Sequence, residues 1–370
     1  MRLTLFFTHG VSLRIWDQTG MFAREVALYQ RLQTHGVEVG FVTYGDASEL
    51  KYADHIPGIH ILFNRWRLPR PIYGRLVPWL HASWLEDSDI IKTNQINGAD
   101  IALRAARVWH TPLIARCGYM LSLNTARTHG PRSLQAWYAR RLEERVFSVA
   151  QRVVVTTPTM AADIATRIPR AAAHTLVIPN YVETNRFRPN GQVAKDTDVI
   201  FVGRLSPEKN LEALLEAVKS LGLTTTIVGA GDLREPLESC FGCMEGRLRW
   251  QGMVPNSELP AWLNDAKLFV LPSHYEAHPK TLLEAMACGL PVLGADSPGI
   301  RSIIRHDDTG WLCGTGARAI EQAIRELMRN PERRMQLGRR AREYVVENFA
   351  LDRIVEKELA LYREVVQADA

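Results

Sequence analysis

Short β-branched runs alternate with amphipathic helical patterns along almost the whole chain, and that rhythm constrains the fold more than any other feature. Strands are predicted near 2–7, 37–43, 58–63, 89–93, 112–116, 152–156 and 175–179, with helical patterns near 20–35, 73–86, 98–109, 134–149 and 158–167 between them. A strand, a covering helix and a further strand build a parallel sheet with helices on its faces. A second series follows, with strands near 198–202, 224–228, 267–271 and 291–294 and helices near 316–329, 331–348 and 351–367. The expected class is α/β, with two such sheets.

A length of 370 residues suits two domains better than one core. Pro179-Asn180 ends the first series, and 184–198, with Pro189, Asn190 and Gly191, reads as the linker. The first domain is expected over 1–185 and the second over 196–349. An apolar fraction of 46% with 23% charged residues is that of a soluble globular protein. No run approaches the ~20 apolar residues of a membrane span, and the opening Met1-Arg-Leu-Thr-Leu-Phe-Phe reads as a strand, too short for the core of a signal peptide. A cytoplasmic protein is expected. Cys117, Cys240, Cys243, Cys288 and Cys313 are odd in number and scattered, which fits reduced thiols. Cys288 and Cys313 read as small core residues, and Cys240-Phe-Gly-Cys243 has no second pair nearby to complete a metal site.

The most informative segment is Ser273-His-Tyr-Glu-Ala-His-Pro-Lys-Thr-Leu-Leu-Glu-Ala-Met-Ala-Cys-Gly-Leu-Pro-Val292. It reads as a strand end, a polar loop and a helix start, the place where open α/β sheets bind ligands. Seven residues separate Glu276 from Glu284, so one carboxylate projects from the loop while the other sits in the first helical turn. Both can then accept hydroxyls of one small molecule at the helix N-terminus. The same residues also spell a capping box, Thr281 with Glu284, in which the glutamate binds nothing.

A second motif lies about seventy residues upstream, Val199-Ile-Phe-Val-Gly203-Arg204-Leu-Ser-Pro-Glu-Lys209-Asn210. Ser206 and Pro207 match an N-cap and a first helical position. Gly203 allows close backbone approach, and Arg204 and Lys209 place two cations at the helix start, a combination that can hold a diphosphate. Gly229-Ala-Gly231 forms a third glycine turn, which serves packing more often than phosphate.

These residues resemble the retaining glycosyltransferases of family four, which have the GT-B fold of two Rossmann-like β/α/β domains facing a cleft. Carrying the likeness are Gly203-Arg204, Lys209-Asn210, Glu276, Glu284, the tail 283–292, and Ile178-Pro-Asn180 with Arg186-Phe-Arg-Pro189; it is dense over about 175–315 and diffuse before that. The resemblance implies that the second domain holds a UDP- or GDP-sugar. Arg204 and Lys209 would grip the diphosphate, Glu284 the ribose and Glu276 the sugar, with Gly203, His278, Lys280 and Thr281 completing the donor site. It implies catalysis by Arg204, Lys209 and Glu276 without a metal or other cofactor. It also implies that the final helix, 350–370, crosses back to the first domain. Independently of the family, fixed cations favour a leaving diphosphate whose charge grows as the glycosidic bond breaks.

Three departures stand out. Relatives often carry Glu-Gly-Phe-Gly where this chain has Glu276-Ala277-His278-Pro279, and Pro279 offers no N–H. The paired-glycine loop after the first strand is reduced to Thr19-Gly20. Where relatives present a first-domain histidine, this chain has Arg116-Cys-Gly-Tyr119, and neither His9 nor His129 is assigned that role. Gly20, Gln95, Asn97, Arg116 and Tyr119, at or near predicted strand ends, are the acceptor-side candidates. Asp87-Ser-Asp89 precedes its strand, which argues against a metal-bridging Asp-x-Asp site. Alternatives are a sugar-nucleotide epimerase or phosphorylase of GT-B-like fold, or a non-catalytic nucleotide-sugar-binding paralogue.

The net charge of +5 is mild, but its distribution is not even. Arg65, Arg67, Arg70 and Arg75 interleave with Phe63, Trp66, Tyr73, Trp79 and Trp84, and Arg127, Arg132, Arg140, Arg141 and Arg145 surround Trp137 and Tyr138. Such surfaces suit an anionic membrane face and a polyprenyl-diphosphate-linked or glycan acceptor; no motif for nucleic acid accompanies them. The reading is a retaining hexosyltransferase of cell-surface polysaccharide biosynthesis, peripheral on the inner face of the membrane.

Overall fold

The computed structural model describes residues 1–191, 195–244 and 246–369. It divides into two compact units, Met1–Pro179 with Val355–Ala370, and Asn180–Ile354. The stretch expected as a linker, 184–198, lies inside the second unit, and its residues 192–194 are outside the described residues.

In the first unit seven strands form one sheet: β1 (Arg2–Phe6), β2 (Glu38–Val42), β3 (Ile59–Leu62), β4 (Ile90–Thr93), β5 (Leu113–Cys117), β6 (Arg152–Val155) and β7 (Thr175–Val177). Their order is β3-β2-β1-β4-β5-β6-β7, every pair parallel. The chain runs outward from β1 in one direction and then, starting at β4, in the other, so the switch point lies between β1 and β4. Leu3, Leu5, Val39, Phe41, Ile91, Ala115 and Val153–Val155 are buried, as expected of strands covered on both faces.

The second unit has six strands: β8 (Thr197–Val202), β9 (Thr225–Val228), β10 (Leu248–Gly252), β11 (Ala266–Leu271), β12 (Val292–Ala295) and β13 (Trp311–Cys313). The order is β10-β9-β8-β11-β12-β13, again parallel, with the switch between β8 and β11. Helices Leu211–Leu221 and Ala317–Arg329 pack together, as do Lys280–Ala287 and Pro331–Phe349. Both sheets follow the expected β/α alternation, and the two edge strands β10 and β13 add to the four expected in the second series.

Helix Leu351–Asp369 ends the described chain. Its later part belongs to the first unit, where Lys92 of β4, completely buried, donates from Nζ to Glu358 Oε2 (2.7 Å) and to Tyr362 Oη (2.9 Å). Burial pulls the Lys92 ammonium below the usual lysine range, and the Glu358 carboxylate offsets part of that.

The interleaved Arg-aromatic stretch exposes its four arginines and Trp79, but not all of its rings. Tyr73 and Trp84 are buried in the core of the first unit, and Trp66 packs on His81 with ring centroids 5.4 Å apart. The cause is helical period. In helix Arg70–Leu80, Tyr73 and Val77 point inward while Ile72, Leu76 and Trp79 point outward. His81 separates that helix from Ala82–Leu85, receives or donates a 2.8 Å bond with Tyr73 Oη, and is pushed down to about 4, by burial first and by the Arg65 charge second.

Candidate functional site

The loop leaving β8 is fastened to the loop leaving β9. Gly203 N–H donates to Val228 O (3.0 Å) and Leu205 N–H to Ala230 O (2.9 Å). Gly229 has φ +139°, and a Cβ there would stand 1.9 Å from the Gly203 carbonyl oxygen. This third glycine turn therefore serves close packing, the role most such turns have. Arg204 is exposed next to buried Leu205.

Beyond it the structure corrects the expected helix start. Ser206 does not cap a helix; its Oγ donates to Glu208 Oε1 (2.6 Å), and Pro207–Lys209 form a single 3-10 turn. Asn210 then takes a left-handed conformation, φ +55°, and the helix begins at Leu211. Asn210 Nδ2 donates to Pro272 O (3.0 Å) and Thr315 O (2.8 Å), while His274 N–H donates to Glu208 O (2.9 Å). One amide thus joins the loop after β8 to the loop after β11, on either side of the switch point.

Lys209 and Glu276 meet there. Nζ lies 2.5 Å from Glu276 Oε1, and Ser273 Oγ donates to the same oxygen at 2.8 Å. The Glu276 side chain is 11% exposed and that of Lys209 is 18% exposed, so the pair is only partly screened by water. Gly299 lies beneath: a Cβ on it would be 2.2 Å from Glu276 O, which makes glycine obligatory at this contact. Ala277 is not among the residues with positive φ, so the loop takes alanine without strain. Burial raises the Glu208 carboxyl, but its Ser206 hydrogen bond and the Lys209 and Arg204 charges outweigh that and leave it below the usual range.

Glu284 belongs to the same unit but not where the spacing puts it. Helix Lys280–Ala287 starts after Pro279 with no side-chain cap, so the capping box does not form and Glu284 falls in the second turn. It is 2% exposed, and Oε1 accepts from Asn256 Nδ2 at 2.8 Å. Asn256, buried in the loop after β10, is a partner that the sequence reading did not find; only the Pro255-Asn256 turn marks it. Thr281 is half-buried in the first turn. Lys280 Nζ lies 5.5 Å from the Tyr181 ring centroid. His278 is buried, its ring 5.6 Å from that of Phe349 and its carbonyl accepting from Asn180 Nδ2 at 2.8 Å.

In the first unit the acceptor-side candidates divide. Gln95 Oε1 accepts from Gly118 N–H (2.8 Å), so its side chain is engaged with the turn after β5. Arg116 is half-buried, and its charge bears on Lys92, Tyr29 and Tyr362. Tyr119 is half-buried, with its carbonyl accepting from Cys117 Sγ. Gly20, φ +66°, closes the turn between helices Leu13–Gln18 and Phe22–Gln33. Asn97 is exposed and lines a groove of about 490 Å³ with Thr125, Gln135 and Tyr138. Asp87 and Asp89 are engaged with Arg2, through its guanidinium (3.0 Å) and its N–H (2.7 Å).

Two doubly wound parallel sheets, each in its own unit, with charged residues gathered at the switch point of the second, define the GT-B class of α/β protein. The chain belongs to the family-four glycosyltransferases: the family Glycosyltransferase Family 4 matches 20–186, and Glycosyl transferases group 1 matches 182–344. It is 25% identical to a D-inositol 3-phosphate glycosyltransferase of Salinispora tropica, over 95% of this chain and 82% of that protein. The sucrose-phosphate synthase of Thermosynechococcus elongatus superposes with a TM-score of 0.83 at 20% identity, covering 100% of both chains. Anabaena HepE, solved with UDP-glucose, does so at 0.73 and 19% identity, again over 100% of both.

Proposed function

We propose that the protein is a retaining, metal-independent hexosyltransferase that moves a sugar from a UDP- or GDP-sugar to a glycan or polyprenyl-diphosphate-linked acceptor in cell-surface polysaccharide biosynthesis. The observation that supports this most is the meeting of Lys209, Glu276 and Ser273 at the β8/β11 switch point, with exposed Arg204 on the same loop as Lys209. Cations here neutralise a departing diphosphate, and a carboxylate beside them orients sugar hydroxyls. Glu284, oriented by Asn256, takes the ribose. HepE, a neighbour in fold, was solved with UDP-glucose.

On this reading Lys209 and Arg204 carry the charge stabilisation that a divalent ion supplies elsewhere, and no side chain is assigned as a nucleophile. The leaving phosphate accepts the acceptor's proton, while the protein positions and neutralises. Asn97 and its groove are the acceptor-side candidates that remain open to solvent. Among the described residues no helix is long and apolar enough to cross a membrane; the proposed place is the cytoplasmic face, held peripherally.

The test is a thermal-shift screen of UDP- and GDP-sugars, followed by nucleotide release and NMR assignment of the product anomer. A sugar nucleotide that binds the folded state raises the melting temperature. Absence of any shift overturns the donor assignment, and an inverted anomer overturns retention.

A further inference from the structure

Among the described residues, the three most exposed large apolar side chains of the first unit lie on one helical hairpin. Helices Leu121–His129 and Leu134–Phe147 pack against each other as a hairpin. Its inner side is fixed by Glu143, completely buried, which accepts from Ser122 N–H (2.8 Å) and Ser122 Oγ (2.6 Å) and pairs with Arg167 (3.1 Å). Its outer side carries Leu134, 82% exposed, with Trp137 at 58%, Tyr138 at 57% and Leu123 at 38%. Side chains this large and apolar, gathered in water, mark an interaction surface.

The exposed charge on the hairpin is mostly positive. Between 121 and 149 there are five arginines, Arg127, Arg132, Arg140, Arg141 and Arg145, against two glutamates. Of those acids Glu143 is buried under Arg167, and Glu144 is paired with Arg141 at 3.3 Å. All five arginines are exposed, and the Arg141 guanidinium lies 5.7 Å from the Trp137 ring centroid. The outer face is therefore an apolar centre of Leu, Trp and Tyr in a cationic rim. Indole and phenol rings rest at the lipid–water boundary, and arginines there meet anionic head groups.

We propose that this hairpin is a docking surface for an anionic lipid bilayer. The proposal rests on the peripheral-membrane reading above and locates it, moving it away from the Arg65–Trp84 stretch. That stretch exposes Ile72, Leu76 and Trp79 with its four arginines, but its Tyr73 and Trp84 are buried, Arg70 lies toward Gly10 and Arg65 lies over Trp66, so it offers a smaller aromatic face.

The experiment is cosedimentation of the full chain with vesicles of phosphatidylcholine alone or in equal parts with phosphatidylglycerol, at about 50 mM and about 500 mM salt. Binding is expected only with phosphatidylglycerol, and weaker at high salt. Leu134→Ser with Trp137→Ser should lower the partition coefficient at least tenfold. Arg140→Gln with Arg145→Gln should lower it about fivefold per arginine at low salt. Ile72→Ser with Trp79→Ser should leave it unchanged. UDP affinity, read by calorimetry, should be the same in all three variants, because the donor residues lie in the other unit; that reading stands or falls separately. The proposal is overturned if wild-type protein stays in the supernatant, if it binds phosphatidylcholine equally well, or if the Ile72 and Trp79 variant is the one released. It is also overturned if sedimentation equilibrium shows a dimer that the Leu134 and Trp137 variant dissolves, since a second copy would then cover the face.

Discussion

Lys209 Nζ and Glu276 Oε1 stand 2.5 Å apart although Glu276 lies 67 positions further along the chain. The cation assigned to the diphosphate and the acid assigned to the sugar hold each other. Lys209→Ala should reduce donor turnover roughly 100-fold, the scale of losing a transition-state charge contact. It should also cost some fold stability, because Glu276 Oε1 loses its cation and is left with the hydroxyl of Ser273. A double-mutant cycle with Glu276→Gln, followed by urea unfolding, should show a coupling of about 0.5–3 kcal/mol. Strict additivity would separate the two residues.

Glu284 and Glu276 should differ toward free nucleotide. On the proposed roles, Glu284→Gln should weaken UDP or GDP binding, because a charge-assisted contact with ribose would be lost. Asn256→Ala should act in the same direction, by releasing the orientation of Glu284, and Glu276→Gln should spare nucleotide affinity while damaging sugar transfer. Calorimetric titration decides it, and equal losses at both glutamates would contradict the roles given.

The Lys92–Glu358 pair is completely buried. Removing one partner leaves an uncompensated charge, so Glu358→Ala should destabilise the first unit by about 3–5 kcal/mol. Lys92→Met with Glu358→Leu should recover most of that, since two apolar groups need no partner. Denaturant midpoints of the three proteins test this; equal loss in the single and double variants would rule out an electrostatic origin.

His81 supplies a pH dependence. Its folded-state value is pushed down to about 4 while the unfolded chain keeps about 6.5, so between those values the unfolded state binds the extra proton. Stability is therefore fully present above pH 6.5 and falls as pH drops toward 4, by roughly 3 kcal/mol at most. His81→Gln should flatten that slope by one proton. An unchanged slope would assign the titration to another group.

The alternation of strands and helices, the second-unit motif and most helix limits are legible in the sequence because local pattern determines them. Pro331–Phe349 and Ala317–Arg329 fall within a residue or two of expectation. What failed has non-local causes. β10 alternates partly buried and exposed residues at a sheet edge, and β13 is three residues long, so neither shows the apolar run of an inner strand. The helix expected at Pro207 is delayed because Asn210 spends its amide on Pro272 and Thr315. Tyr73 and Trp84 read as an amphipathic surface because arginines flank them, yet helical period and sheet packing draw them inside. Asn256 with Glu284, and Lys209 with Glu276, are pairs made by the sheet order, which no window of sequence contains.

The offset of 266 positions from Lys92 to Glu358 also sets an order of events on the ribosome. Translation at about 5–20 residues per second leaves Lys92 waiting roughly 13–53 s for its counter-ion. The unit Asn180–Ile354 emerges in full during that interval, whereas the unit that begins the chain is finished last. A nascent chain halted before Glu358 would thus hold an ammonium without its carboxylate partner at the centre of its first sheet.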